Sequence, residues 1–244
     1  MVNVKVSGIG AYLCAAMSRE LEVLYEDNHL IAINKLSGEL VQGDQTGDHT
    51  LADRVKDYIG RKYQKPGAVF LGVIHRIDRP VSGVVLFART SKALARMNEQ
   101  FRTREVTKKY IAAVQNRPAE SSATLVHWLK KNNDQNRVTV FKKENGEAQR
   151  CELSYKTLKT REGLSLVEVL PVTGRSHQIR AQLSTIGCPI RGDLKYGASE
   201  GFNESIALHA RELSLVHPVT KISVIIRAQV PQNLIWQPFA ADVN

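Results

Sequence analysis

The chain of 244 residues is poor in cysteine, with three in all: Cys14, Cys151 and Cys188. They are odd in number, scattered and without a CxxC pair, which argues against a disulfide framework or a zinc ribbon and fits a reducing, cytoplasmic setting. No apolar run approaches the roughly 18 residues of a membrane span. HExxH and HxH are missing, so the seven histidines offer no metal site. GxxxxGK[ST] and GxGxxG are missing too, which leaves nucleotide hydrolysis and dinucleotide redox chemistry without support. There is neither an internal repeat nor a low-complexity linker at which to cut the chain, whose length suits one large domain or two small ones. "IGAYLCAAM", Ile9 to Met17, is too short for a targeting segment, and its "AYLC" lacks the small residues of a cleavage site. Residues 1–20 therefore read as a leader or extra segment ahead of one domain over 21–244.

What the chain has is positive charge. Lys and Arg number 34 against 24 Asp and Glu, giving +10 and a pI near 9.6, the electrostatic footprint of a nucleic-acid binder. The surplus is concentrated: residues 101–150 hold 11 basic against 5 acidic side chains, so six of the ten excess charges fall in that fifth of the chain.

Periodicity places the elements. "LEVLYEDNHLIAINK" reads as two strands around an Asp-Asn turn. "HTLADRVKDYIG" is a helix capped by Thr50 with Asp53 three residues on, presenting Leu51, Val55, Tyr58 and Ile59 on one face and stopped by Gly60. A second helix has Ser91 as cap and Leu94, Met97 and Phe101 on one face. "KKYIAAV" and the alternating "RCELSYKTLK" are strands, and "GLSLVEVLPVTG" is a more deeply buried one. "SHQIRAQLSTIGCP" is a helix with Ile179, Leu183 and Ile186 aligned and Gly187 at its stop. "ALHARELSLVHP" and "KISVIIRAQV" return to strands. The polar, basic stretch 116–149 reads as a hairpin or excursion from the main fold, a candidate RNA-contacting element.

Three segments combine glycine with charge at element ends: "HRIDRPVSG" (75–83), "KKY" (108–110) and "GRSHQIR" (174–180). In the first, Asp78 follows an apolar strand, and Pro80, Ser82 and Gly83 turn the chain before it re-enters the core. Arginines nearby, with Arg175 and Arg180 available from elsewhere, would keep the Asp78 carboxylate ionised and able to act as nucleophile or base. Taken alone, Asp78 suits better a turn cap paired with an arginine, since structural ion pairs are common. Arg180 lies about 100° around its helix from the core-facing Ile179, so it can reach a neighbouring loop while its own helix stays packed. His177 and Gln178 also suit plain hydrogen bonding at a helix start. Tyr110 suits a strand core, and "KKY" equally sets phosphate-seeking cations, Lys108 and Lys109, beside a ring on which a nucleobase stacks.

Taken together these segments resemble the RluA-type RNA pseudouridine synthase family. "HRIDRPVSGVVLFART" resembles its HRLDxxTSG signature, "KKYIAAV" its KxY strand and "GRSHQIRAQL" its GRxHQIR helix, while "RGDLKYG" and "ALHARELSLVHP" resemble two later blocks. The likeness runs in order from about Leu21 to Val230. It implies a mixed α/β (α+β) fold with a bent, mainly antiparallel central sheet flanked by helices and loops and an active cleft across its middle. Asp78 then matches the catalytic aspartate, Arg180 the arginine paired with it, and Tyr110 the tyrosine that packs on the target uracil and takes part in proton transfer. Arg76 matches the residue that fills the space left by a flipped-out base, and Arg79, Lys108, Lys109, Arg175 and His177 are the remaining candidate RNA contacts. Val81 departs from the usual threonine, and Leu36 from the proline common after the lysine of "NKLSG". The resemblance also implies that the S4-like module many relatives carry is lacking.

The implied reaction breaks the N1–C1′ bond of uridine, turns the uracil and rejoins it through C5. It needs no cofactor, metal or redox agent, and it requires the base to leave its stack, which costs least where the uridine is unpaired. The expectation is a monomeric isomerase acting on ribosomal or transfer RNA, away from membranes. A non-catalytic RNA-binding or ribosome-assembly protein of the same fold is the alternative, but it would have no use for an acid near phosphates. A metal-dependent nuclease would need clustered carboxylates or histidines.

Overall fold

Two neighbouring strands, β2 (Leu30–Lys35) and β4 (Ser82–Ala88), are buried from end to end, which requires a layer on each face of the sheet they share. The computed structural model describes residues 20–43, 47–132 and 134–243 and supplies both layers. Ile31, Ile33, Val85 and Phe87 pack on one side with Leu51, Val55 and Ile59 of helix α1 (Leu51–Lys62). Leu30, Ala32, Val84, Leu86 and Ala88 pack on the other with Ala93 and Met97 of helix α2 (Ser91–Arg102). The period of two along each strand thus feeds two cores.

The remaining strands are β1 (Val23–Glu26), β3 (Gly72–Val73), β5 (Thr107–Gln115), β6 (Ser122–Asn132), β7 (Arg137–Phe141), β8 (Gln149–Arg161), β9 (Leu164–Pro171), β10 (Leu208–Val216) and β11 (Ser223–Arg227). They form one sheet in the order β1-β2-β4-β10-β5-β9-β8-β6-β7, with β3 added to β4 and β11 to β10. Among the described strands every pairing is antiparallel except β4 with β10. At that parallel junction Gly83 has φ +114°, and a Cβ there would lie 2.3 Å from the Ala210 carbonyl oxygen, so only glycine fits. The fold class implied by the resemblance is the one observed.

The differences from expectation are local. Thr50 and Asp53 do form a reciprocal capping box, but α1 runs through Gly60 to Lys62. Gly60 packs against Val69, and the roughly 1 kcal/mol it costs in a helix is outweighed by the buried stripe beside it. The cap of α2 is Thr90, whose Oγ1 accepts from the Ala93 N–H at 3.2 Å, rather than Ser91. The hairpin in 116–149 exists as β6 and β7, yet it extends the sheet, with β6 pairing β8 over eight positions and β7 outside it. The leader reading and Cys14 fall on residues outside those described. Cys151 and Cys188 are buried free thiols. No described helix is long and apolar enough to cross a membrane.

Two imidazoles, the fully buried His209 and the partly buried His75, set a pH dependence. His209 accepts from Ser82 Oγ at Nδ1 (2.8 Å) and donates from Nε2 to the Ala228 carbonyl (3.3 Å), and burial pushes its pKa down to about 4. His75 accepts from the Leu86 N–H at Nε2 (3.1 Å) and is likewise pushed to about 4 by burial and by the Lys108 charge. Because the unfolded rings titrate near 6.5, the unfolded chain binds more protons below that value, so the stability present at pH 7 is lost as pH falls from about 6.5 toward 4. A loss on the order of 2 kcal/mol per ring is expected by pH 5. Urea-unfolding midpoints measured at pH 7 and pH 5 check it, and a flat profile would contradict it.

Candidate active site

The site lies where the sheet's middle meets helix α3 (Gln178–Thr185). A row of paired residues crosses the sheet from Gly83 through Ala210 to Tyr110 and on to Val169. Tyr110 is therefore two strands, roughly 10 Å, from the strand that opens just after Asp78. Asp78 opens a turn in which its carbonyl accepts from the Val81 N–H (3.0 Å). Val81 is 2% exposed within the core, so the side chain at this departure from the family pattern anchors the turn by packing.

Lys35 holds that turn from behind. It is completely buried, and its ammonium donates to the carbonyls of Leu36 (2.8 Å), Glu39 (2.8 Å) and Arg79 (3.0 Å). Burial pulls its pKa down to about 7, against the attraction of Glu39 and Asp78. The three acceptors match the three donors of a charged amine. Leu36, the other departure, contributes through its carbonyl, which any residue can supply.

Arg180 is the link between Asp78 and the helix. Its Nη1 donates to Asp78 Oδ2 at 3.0 Å, while Nε and Nη2 fork onto Asp193 Oδ2 (2.7 Å) and Oδ1 (2.8 Å). The side chains of Arg180 and Asp193 are 6% and 1% exposed, against 27% for Asp78. Burial opposes the charge on Arg180, but the hydrogen bonds and charges of Asp193 and Asp78 prevail and raise its pKa. Asp78 Oδ1 has no hydrogen-bond partner among the described residues. One carboxylate oxygen is thus held and the other is open.

Tyr110, half-buried on β5, is near enough to Asp78 for the carboxylate charge to act on it. Burial, then the Asp78 charge, raises its phenol pKa, so it stays protonated and can donate. His177, at φ +51°, meets the Tyr196 hydroxyl through Nδ1 (2.8 Å), and its Nε2 lies 3.9 Å from Asp78 Oδ2. Burial lowers its pKa in spite of Asp78, favouring the neutral ring. The Tyr196 hydroxyl also accepts from the Val138 N–H of β7 (2.9 Å), and its ring lies under the Arg180 guanidinium at 5.1 Å. This ties the β6–β7 hairpin to the site.

The sequence candidates divide. Asp78, Arg180, Tyr110 and His177 come together. Arg76 and Arg175 are exposed. Arg79 is engaged by residues of other segments, through Gly38 O (2.9 Å), Asp48 (3.1 Å) and Glu204 (3.5 Å). Alternation along β5 sends Lys108 to the face of Tyr110 but Lys109 to the opposite face, where it pairs with Glu168 at 3.4 Å. Gln178 is a structural staple: Oε1 accepts from Thr173 and Arg175, and Nε2 donates to the Glu152 carbonyl. Sequence reasoning missed Lys35, Asp193 and Tyr196. Their signal was present in "NKLSG" and "RGDLKYG", where an ionisable group or a ring sits among glycines. The described residues hold no group of three or more His, Cys, Asp or Glu able to bind a metal.

A family model described as RNA pseudouridylate synthase matches residues 29–185. The chain is 33% identical over 215 residues to a ribosomal large subunit pseudouridine synthase C of Rickettsia typhi, covering 86% of this chain and 68% of that one. It is also 33% identical over 239 residues to a tRNA pseudouridine synthase C of Haemophilus influenzae, covering 89% and 95%. The structure of human RNA pseudouridylate synthase domain containing 4 superposes with a TM-score of 0.73 at 26% identity, covering 91% and 93%. The chain belongs to the RNA pseudouridylate synthase family, and its class is that of an isomerase that modifies RNA.

Proposed function

We propose that this protein converts a specific unpaired uridine of structured ribosomal or transfer RNA to pseudouridine, with Asp78 as the essential carboxylate acting on an extruded nucleotide. The observation that carries the reading is the asymmetric carboxylate: Arg180 holds Oδ2, while Oδ1 has no hydrogen-bond partner among the described residues and the side chain is partly exposed. A fixed, charged and partly exposed oxygen of this kind can attack the ribose or the uracil ring. The N1–C1′ bond then breaks, the uracil turns, C5 bonds to C1′, and the C5 proton is exchanged for one on N1. Tyr110, a protonated phenol against the base, supplies a stacking surface and a proton-transfer group. Extruding the base costs a few kcal/mol, least in loops and bulges.

Arg76 and Arg175, both exposed, and Lys108 provide phosphate contacts, and Arg76, by its match to the family motif, enters the vacated stack. The basic β6–β7 hairpin extends the RNA surface, joined to the site through Tyr196 and Val138. The names of the relatives support either ribosomal or transfer RNA as substrate. The test is to incubate the protein with unmodified transcripts of both RNAs and map pseudouridine at nucleotide resolution. Site-specific pseudouridine is expected. Binding with no new pseudouridine in either RNA would leave the binder reading instead.

A further inference from the structure

Two cations beside the site, the half-buried Lys108 and the exposed Arg104, have no acidic partner among the described residues. Lys108 is half-buried on the cleft face of β5, with no ion-pair or hydrogen-bond partner among the described residues. Burial, and then the charge of Arg104, disfavours its ammonium. Its neighbour His75 is neutral and offsets nothing. The exposed Arg104 side chain is also without a partner among the described residues, and its backbone is strained. It follows the cap of α2 with φ +62°, in a turn where the Glu105 N–H reaches the Gln100 carbonyl (2.9 Å) and the Arg104 N–H the Phe101 carbonyl (3.3 Å). Glycine is the usual occupant of that left-handed position. An arginine there keeps a second positive charge next to the first, at a cost in backbone strain, and such outliers gather at functional sites.

The third component is Gly174, which opens the segment leading to α3. A Cβ on Gly174 would stand 3.7 Å from Lys108 Nζ, and the Gly174 N–H has no hydrogen-bond partner among the described residues. Lys108 lies two residues, about 7 Å, along β5 from Tyr110.

We propose that Lys108, Arg104 and the Gly174 N–H form a subsite for one phosphodiester of the RNA backbone, the one adjoining the nucleotide that Tyr110 receives. A half-buried ammonium beside a free backbone donor, with the positive charge of Arg104 acting on it as well, suits a phosphate that an RNA strand brings with it. The assignment rests on the reading of the site as an RNA-modifying centre. It goes further by separating Lys108, which takes the phosphate, from Lys109, which is neutralised by Glu168 on the other face.

Two measurements on the full-length protein test it, with unmodified ribosomal and transfer RNA transcripts as the probe. In the first, binding is titrated at several salt concentrations for the parent, Lys108→Met and Lys108→Arg, after unfolding curves establish that each variant is folded. Methionine keeps the aliphatic stem and removes the charge. The slope of log K against log salt is expected to fall by about one for Lys108→Met and to return with Lys108→Arg. An unchanged slope for Lys108→Met would overturn the subsite. In the second, lysine acetylation is read by mass spectrometry with and without RNA. Lys108 is expected to be protected by RNA and Lys109 not, while inorganic phosphate at the same phosphate concentration protects neither. Equal protection of both lysines, or protection of Lys108 by inorganic phosphate alone, would overturn the assignment to an RNA phosphodiester. Pseudouridine formation by the parent on the same transcripts is scored separately, so a failure of the enzymatic reading is distinguishable from a failure of the subsite.

Discussion

Asp78→Asn is expected to bind RNA at least as tightly as the parent and to form pseudouridine slower by roughly 10⁴-fold or more, the scale on which removing an attacking group acts. Affinity persists because the carboxylate is a negative charge in a cleft that must accept phosphates, so its removal relieves repulsion. The amide retains the shape of the side chain, and its oxygen can still accept from Arg180 Nη1, which keeps the turn in place. What is lost is the anionic oxygen that Arg180 leaves open. Single-turnover mapping of pseudouridine beside equilibrium binding on the same transcript separates the two effects. Turnover at the parent rate would remove Asp78 from the mechanism.

The second large effect is on stability. Asp193→Asn replaces an anion that takes both Nε and Nη2 of Arg180 with an amide that offers one acceptor oxygen. Arg180 would remain buried with most of its compensation gone, and breaking such a pair from one side costs about 3–5 kcal/mol. The guanidinium would also lose the fork that fixes its orientation toward Asp78. The rate is therefore expected to fall more than RNA affinity does, as befits a residue that positions another. Urea unfolding at pH 7 measures the first effect and single-turnover kinetics the second. A loss below about 1 kcal/mol would mean that the pair is not the buried anchor described here.

Local pattern was enough for the elements and for part of the site. The cap at Thr50, the stop of α3 near Gly187 and the alternating face of β8 follow from neighbours a few residues apart, where propensity and periodicity act. Asp78 stood out because "HRIDRPVSG" inserts charge between two buried runs, and Arg180 because its angular position on α3 differs from that of Ile179. The opposite faces of Lys108 and Lys109 need only a period of two, yet the sequence reading set both beside the Tyr110 ring. The boundaries at Gly60 and Ser91 were misplaced because packing of a buried stripe and the hydroxyl one residue earlier outweighed the stronger local signal.

The amino-acid order by itself determined which groups could be charged, which faces were apolar and where the chain turned, because these depend on side-chain chemistry and short-range geometry. Only the tertiary structure decided that Arg180 spans 102 positions to reach Asp78, that Asp193 anchors it, that Lys35 holds three carbonyls behind the turn, and that Lys109 is neutralised while Lys108 is not. Those outcomes depend on which strands lie side by side in the sheet and on how deeply each ion is buried. Hydrogen bonds fall off within a few ångströms, and Coulombic energies depend on separation and on burial, so only the packed chain sets them.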